Sequence, residues 1–274
     1  MPAPSPSPDQ LLAGALQHYN AGHFAQAEQA SHAVLALAPQ HPAAHQLLAM
    51  LALNRQALAQ ARQHILLSLA PRPQHVPSLL IAGRIALANA DPEGAVACFE
   101  AAAHHQPDLS QAHFHLGTSL SALGRHAQAA TALRQAVALA PQAMEAVLNL
   151  GSALRELGDL AAARTAFTQA CRLRADLAEP WFNLGLTLQD LQETAAAVEA
   201  FARALQLRPD YADAALNLGV ALQEVHRMDE ALQAFRTALR LQPQWFGRIA
   251  HALTAGTSGR LWLHMRDLEA ALRA

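Results

Sequence analysis

Asn149, Asn183 and Asn217 stand 34 residues apart, each heading an Asn-Leu-Gly triplet. A side-chain amide offers two donors and an acceptor, the complement of a peptide bond. Three of them at one interval could grip the backbone of an extended chain whatever its side chains. The plainer alternative is that the triplet is a structural consensus, with the amide capping or bridging neighbouring repeats. Carboxylates keep the same interval. Glu145, Glu179 and Asp213 come four residues before each asparagine, and Glu156, Asp190 and Glu224 seven residues after it. Arg155 alone interrupts them. Such a row favours a neutral or basic partner segment; acids at helix starts are also favoured by the helix dipole alone.

Other residues with chemical potential form no constellation. Of 15 histidines, 12 fall within residues 1–126, including His104-His105 and the pair His113/His115. Spacing of one or two does not put two ligands on one helix face. There is no His-Glu-x-x-His and no cysteine pair at zinc spacing, so no metal or other cofactor is expected. Histidines titrating at the surface are the ordinary explanation. Cys98 and Cys171 lie too far apart in sequence to suggest a disulfide framework and fit a reducing compartment. No phosphate loop, dinucleotide fingerprint or nucleophile motif appears, so the chain reads as a non-enzyme. A formal net charge of −2 gives no pull toward nucleic acid. No apolar run reaches the length of a membrane span, and the start, rich in proline and serine, lacks the features of a secretory signal. A cytoplasmic location follows as an expectation.

The elements that must hold these residues are set by one ruler. Pro39, Pro73, Pro107, Pro141, Ala175, Pro209 and Pro243 are spaced by 34 residues. A period of this size marks stacked helical units. With this residue at position 32, the units are 8–41, 42–75, 76–109, 110–143, 144–177, 178–211 and 212–245. Position 20 is alanine in all seven, and position 8 is Gly or Ala. Small residues there let two helices cross closely, while large residues at positions 7, 11 and 24 fill the surrounding grooves. Gly124 and Gly158 mark turns between helices, and the prolines near position 32 end the second helix. Residues 1–7 read as a disordered lead-in. Residues 246–274 read as capping helices, with a docking element around Trp262 as the alternative.

This pattern resembles the tetratricopeptide repeat (TPR) family, over 238 residues. The resemblance implies an all-α fold, a right-handed superhelix (α-solenoid) of about seven helix-turn-helix repeats with a C-terminal capping helix. It places positions 2, 5, 6, 9, 12 and 13 of each first helix on a concave groove. The first repeat departs from the pattern, since Gly14, His18 and Ser31 stand where large apolar residues are usual. The asparagine row resembles the ladder in the superhelix of O-GlcNAc transferases and related bacterial proteins. On this reading the groove carries Asn149, Asn183 and Asn217 as backbone contacts, with Phe114 and Phe182 at position 5 and Arg155, Glu156, Asp190 and Glu224 beside them. No row of Lys or Arg is present to hold acidic tails. Toward the N-terminus the same positions hold an apolar set that includes Tyr19, Leu47, Met50, Leu53, Ile81 and Leu87. That set reads either as a pocket for an apolar anchor or homodimer contact, or as tighter packing of the first repeats.

The expected function is a protein–protein interaction scaffold that binds an extended peptide or partner helix in its groove. The alternative is a substrate-selecting subunit, or truncated homologue, of a TPR-linked glycosyltransferase or other enzyme, acting in trans.

Overall fold

The computed structural model describes residues 6–255 together with 269 and 272. The described residues fold entirely into helices and turns. In order, the helices are α1 (Pro8–Asn20), α2 (Phe24–Leu37), α3 (Pro42–Asn54), α4 (Leu58–Leu69), α5 (Val76–Ala88), α6 (Pro92–His105), α7 (Ser110–Ala122) and α8 (His126–Leu139). They continue with α9 (Met144–Glu156), α10 (Leu160–Leu173), α11 (Ala178–Asp190), α12 (Thr194–Leu207), α13 (Ala212–Glu224) and α14 (Met228–Leu241). A 3-10 turn, Pro243–Trp245, then leads into α15 (Phe246–Ala255). The chain divides into two compact blocks, Met1–Ala140 and Pro141–Ala274. In each block consecutive helices pair as hairpins, and the second helix of a hairpin packs on the first helix of the next.

Helix starts and stops follow local chemistry. Ser7 and Gln10 form a reciprocal capping box at α1. Asp91 and Asp159 accept from the Gly94 and Ala162 amides at α6 and α10. Six of the seven second helices end at position 30 of their repeat. The exception is α4, where Pro71 occupies that position and the helix stops at Leu69. Proline removes the amide donor and disfavours helical geometry in the residue before it.

The turn inside each hairpin is uniform. Position 15 has positive φ in every repeat: Gly22, Gln56, Ala90, Gly124, Gly158, Gln192 and His226. The following amide bonds a carbonyl five residues back, as Asp91 N to Ala86 O at 2.9 Å. This closes a Schellman-type stop. Only three of the seven positions are glycine, so the other four adopt left-handed backbone with a side chain attached. Ala90→Gly is expected to stabilise its block by about 1 kcal/mol, because a Cβ there is strained and alanine adds nothing in return. Urea unfolding of this variant checks the sign.

The core is a ladder of small and large residues. The seven position-20 alanines, from Ala27 to Ala231, are all fully buried. Across from them, Phe99, Phe167, Phe201 and Phe235 are buried at position 24. Each ring occupies the space a Cβ would need at the facing glycine: Gly83, Gly151, Gly185 or Gly219, at 2.5–3.0 Å from such an atom. Leu133 does the same over Gly117. Where position 8 is alanine, position 24 shrinks: Ala15 faces a repeat with Ser31, Ala49 one with Ile65. Ser31 hydrogen-bonds the Ala27 carbonyl at 2.7 Å, so its buried hydroxyl is satisfied.

At the end of the second block, Ile249, Ala250 and Leu253 of α15 are buried. Gln223 of α13 donates to the Ala252 carbonyl at 3.1 Å and ties α15 in place. The expected final helix around Trp262 lies outside the described residues.

Candidate functional site

In the second block, α11 has α9 on one side and α13 on the other. The packing buries Leu150, Leu184 and Leu218 and the glycine beside each, which fixes how these helices are turned. The residues left in solvent form one stripe per helix. Glu145, Glu179 and Asp213 are exposed in the first turns, and Glu156, Asp190 and Glu224 are exposed in the last turns. Between them Asn149, Asn183 and Asn217 are partly buried. The amides of Asn149 and Asn183 make no hydrogen bond to a described residue. Asn217 donates to the Asp213 carbonyl at 2.8 Å, one turn back in its own helix.

The stripes are linked electrostatically at one point. Arg155 Nε donates to Asp190 Oδ2 at 2.8 Å and joins α9 to α11. Glu224 accepts from the Thr194 hydroxyl at 3.2 Å. Glu145, Glu156, Glu179 and Asp213 have no cationic side chain within ion-pair distance among the described residues. The face is therefore acidic after its one arginine is used.

Phe182 sits where this face meets the core. Its ring centroid lies 5.9 Å from that of Phe201 and 4.8 Å from that of Tyr211. It packs in a cluster with Trp181, Tyr211 and Leu207 around Ala178, Ala204 and Ala214. Sequence reasoning passed over Tyr211, which occupies a loop just before α13. Phe114 belongs to the other block, partly buried and 5.3 Å from the His115 ring.

The apolar set near the N-terminus divides. Leu47 is 2% exposed and packs with Ala15, Ala27, Leu48 and Leu51. Leu53 and Ile81 are buried with Ala49, Ala52, Ala61, Ile65 and Ile85. These three are core, not lining: neighbouring first helices close over them, because burial of large aliphatic groups is favourable. Met50 packs at the edge of that cluster. Tyr19 is half-buried with its ring 5.6 Å from Phe24, and Leu87 is exposed.

Several of the histidines have structural partners. His45 Nε2 meets the Pro39 carbonyl at 3.0 Å, and His113 Nε2 the Pro107 carbonyl at 2.9 Å. Trp181 Nε1 makes the equivalent bond to Ala175 at 3.4 Å. A carbonyl only accepts, so His45 Nε2 carries a proton, while its Nδ1 lies 3.0 Å from His64 Nδ1. Burial, His45 and His32 hold His64 below the ordinary histidine value, against a small opposing effect of Glu28. Burial and Arg84 do the same to His115, and burial and Arg72 to His75. Because the folded values are lowered, this stability is complete above about pH 6.5 and is lost as pH falls through them. Thermal melts should therefore drop from about pH 7 to about pH 5, and His64→Asn should make the drop shallower. Burial pushes the Cys171 thiol up to about 12 and raises Cys98 too, opposite to what a nucleophile needs. Among the described residues no group of three or more His, Cys, Asp or Glu could hold a metal ion. None of the described helices is long and apolar enough to cross a membrane.

A tetratricopeptide repeat model matches residues 12–76, 82–143, 116–178 and 182–244, more than half of the chain. The chain belongs to the tetratricopeptide repeat family. Its fold is a TPR α-solenoid. A search of curated proteins gives no significant match. Among solved structures, the C-terminal part of a TPR protein from Cytophaga hutchinsonii matches with TM-score 0.73 at 12% identity, over 88% of this chain and 99% of that one. YrrB, a TPR protein with an unusual peptide-binding site, matches with TM-score 0.61 at 19% identity, over 70% and 96%. MamA matches with TM-score 0.57 at 25% identity, over 59% and 95%. The first two likenesses concern the fold.

Proposed function

We propose that this TPR chain is a protein-interaction scaffold that binds an extended segment of a partner along the exposed faces of α9, α11 and α13. The observation that carries this reading is a set of polar groups the repeat packing does not use. The Asn149 and Asn183 amides are unbonded and partly buried, so they are held in place by their surroundings yet open to solvent. An extended backbone passing over them would supply the missing donor and acceptor. The flanking carboxylates select a neutral or basic segment, since an acidic one would meet like charge. YrrB, of the same fold and with a peptide-binding site, supports the class of ligand. Phe182 adds apolar contact at the edge of the face.

Peptides selected from a random display library against the whole chain test the reading. They are expected to be neutral or basic and free of helix-forming bias. Replacing Asn149, Asn183 and Asn217 together by alanine should weaken them about tenfold or more, at roughly 0.5–1.5 kcal/mol per lost hydrogen bond. The triple variant should unfold with the wild-type midpoint, because none of the three amides bridges helices. Unchanged affinity in a folded triple variant sinks the proposal.

A further inference from the structure

Two described arginines of the second block lie over aromatic rings, Arg248 over Trp245 and Arg208 over Tyr211. Arg155, Arg164, Arg174 and Arg227 each reach a carboxylate at 2.6–2.9 Å. Arg208 reaches none. Its guanidinium carbon sits 3.8 Å from the centroid of the Tyr211 ring, stacked on an aromatic face. The Tyr211 ring is also walled by Phe182, at 4.8 Å between centroids. Asp213 follows Tyr211 by two residues and Glu179 precedes Phe182 by three. Burial raises the Tyr211 hydroxyl, the Arg208 charge opposes this, and the charges of Glu179 and Asp213 add to the rise. Neither carboxylate has a cation of its own among the described residues. Helix-dipole preference explains two acids in the first turns of α11 and α13. It does not explain an aromatic face set near them, already holding a guanidinium.

An aromatic face with carboxylates nearby is the chemistry that recognises a cation with a flat, weakly hydrated head. We propose that the Tyr211 face, walled by Phe182 and flanked by Glu179 and Asp213, is a subsite for an arginine side chain of the bound segment, occupied by Arg208 while the groove is empty. This deepens the groove reading and rests on it for the identity of the segment. The two acids are the N-terminal members of the α11 and α13 stripes, so the subsite lies at one end of the proposed peptide path. Arg208 lies in the exposed loop between α12 and α13, and an exposed guanidinium on a ring is held weakly. A ligand arginine that also engages Glu179 or Asp213 has an interaction Arg208 lacks, and displaces it.

The chain has only two tyrosines, which makes the subsite directly observable. With tyrosine rings isotopically labelled in the whole chain, N-acetyl-arginine-N-methylamide is titrated and both rings are followed by NMR. Tyr211 signals should move saturably while those of Tyr19, in the other block, stay fixed. The citrulline analogue, equal in shape but uncharged, should leave Tyr211 unmoved, and the lysine analogue should bind more weakly. Arg208→Ala should tighten the arginine probe about threefold, the weight of one exposed guanidinium–ring stack. The Glu179→Gln, Asp213→Asn double variant should weaken the probe by a similar factor or more, the chain staying folded with only the small fall in melting temperature that the loss of two helix-dipole contacts brings. A Tyr211 ring that ignores the arginine probe in Arg208→Ala, or answers citrulline as strongly, overturns the subsite. An equal response to lysine overturns its assignment to arginine. The probe is a single amino-acid derivative, so it reads the subsite without any peptide in the groove. Failure here with selected peptides still bound on α9, α11 and α13 removes the subsite alone. A responding Tyr211 with those peptides bound elsewhere removes the groove reading and leaves only a cation site.

Discussion

Phe201→Ala is expected to lower the stability of the second block by about 3–5 kcal/mol, measured by urea unfolding of the whole chain. The ring is fully buried. It fills the crossing of α11 and α12 against Gly185, where no side chain stands ready to take its place. Phe182, 5.9 Å away between centroids, can move only by giving up its contact with Tyr211. Collapse into the hole is thus restricted, which places the loss toward the upper part of the range. Repeat arrays are stabilised by coupling between neighbours, so weakening this hairpin also weakens its contacts with the flanking ones. The unfolding transition should broaden or split as well as shift. A loss below about 1 kcal/mol would show that the ring is not the keystone of its crossing.

Gly185→Ala is the converse change. Alanine gains about 1 kcal/mol over glycine inside a helix from propensity. The added Cβ, however, would lie 2.6 Å from Phe201 Cδ1 and Cε1. The ring has no free space to retreat into, and overpacking of a filled core costs about 1–3 kcal/mol, so the clash wins. The chain itself suggests the remedy. Its second repeat pairs Ala49 with Ile65, and both are buried. Phe201→Ile in the Gly185→Ala background should therefore recover part of the loss, although each change alone destabilises. A double-mutant cycle should give a favourable coupling of about 1 kcal/mol or more. Simple additivity of the two losses would mean that the glycine and the ring do not share one space.

Much of this fold could be read from the sequence because its determinants recur. Position 20 demands an alanine and position 8 a glycine or alanine wherever two helices cross, and 34-residue spacing exposes both. The hairpin turn was less readable. Its left-handed residue is glycine at Gly22, Gly124 and Gly158 but a residue with a side chain at Gln56, Ala90, Gln192 and His226, where the backbone accepts strain that no residue type announces. The stop of α4 at Leu69 is written in Pro71, off the main ruler.

The candidate site was legible where it repeats and opaque where it does not. The interval sets Asn149, Asn183 and Asn217 at equivalent places on α9, α11 and α13, with acids before and after. A single assignment of positions to faces failed at Leu47, Leu53 and Ile81, because exposure at a given position depends on how closely the next helix approaches. Aliphatic side chains there draw that helix in, whereas asparagine and carboxylate at the corresponding places stay with water. Tyr211 escaped notice for a different reason. It stands at the last position of its repeat, which the other repeats fill with His, Leu, Ala or Trp, so no constant residue type marks it, and only folding brings it to Phe182 and Arg208.

The central claim is that the polar stripes of α9, α11 and α13 are the surface that binds. It is tested most directly by the footprint of a selected peptide on the side-chain amides of the whole chain, followed by NMR with nitrogen labelling. The account predicts that the Asn149, Asn183 and Asn217 amide signals shift together on binding, while those of Gln169 and Gln233, on the second helices α10 and α14, do not. Shifts confined to the second helices, with the three asparagine amides unmoved, would contradict it.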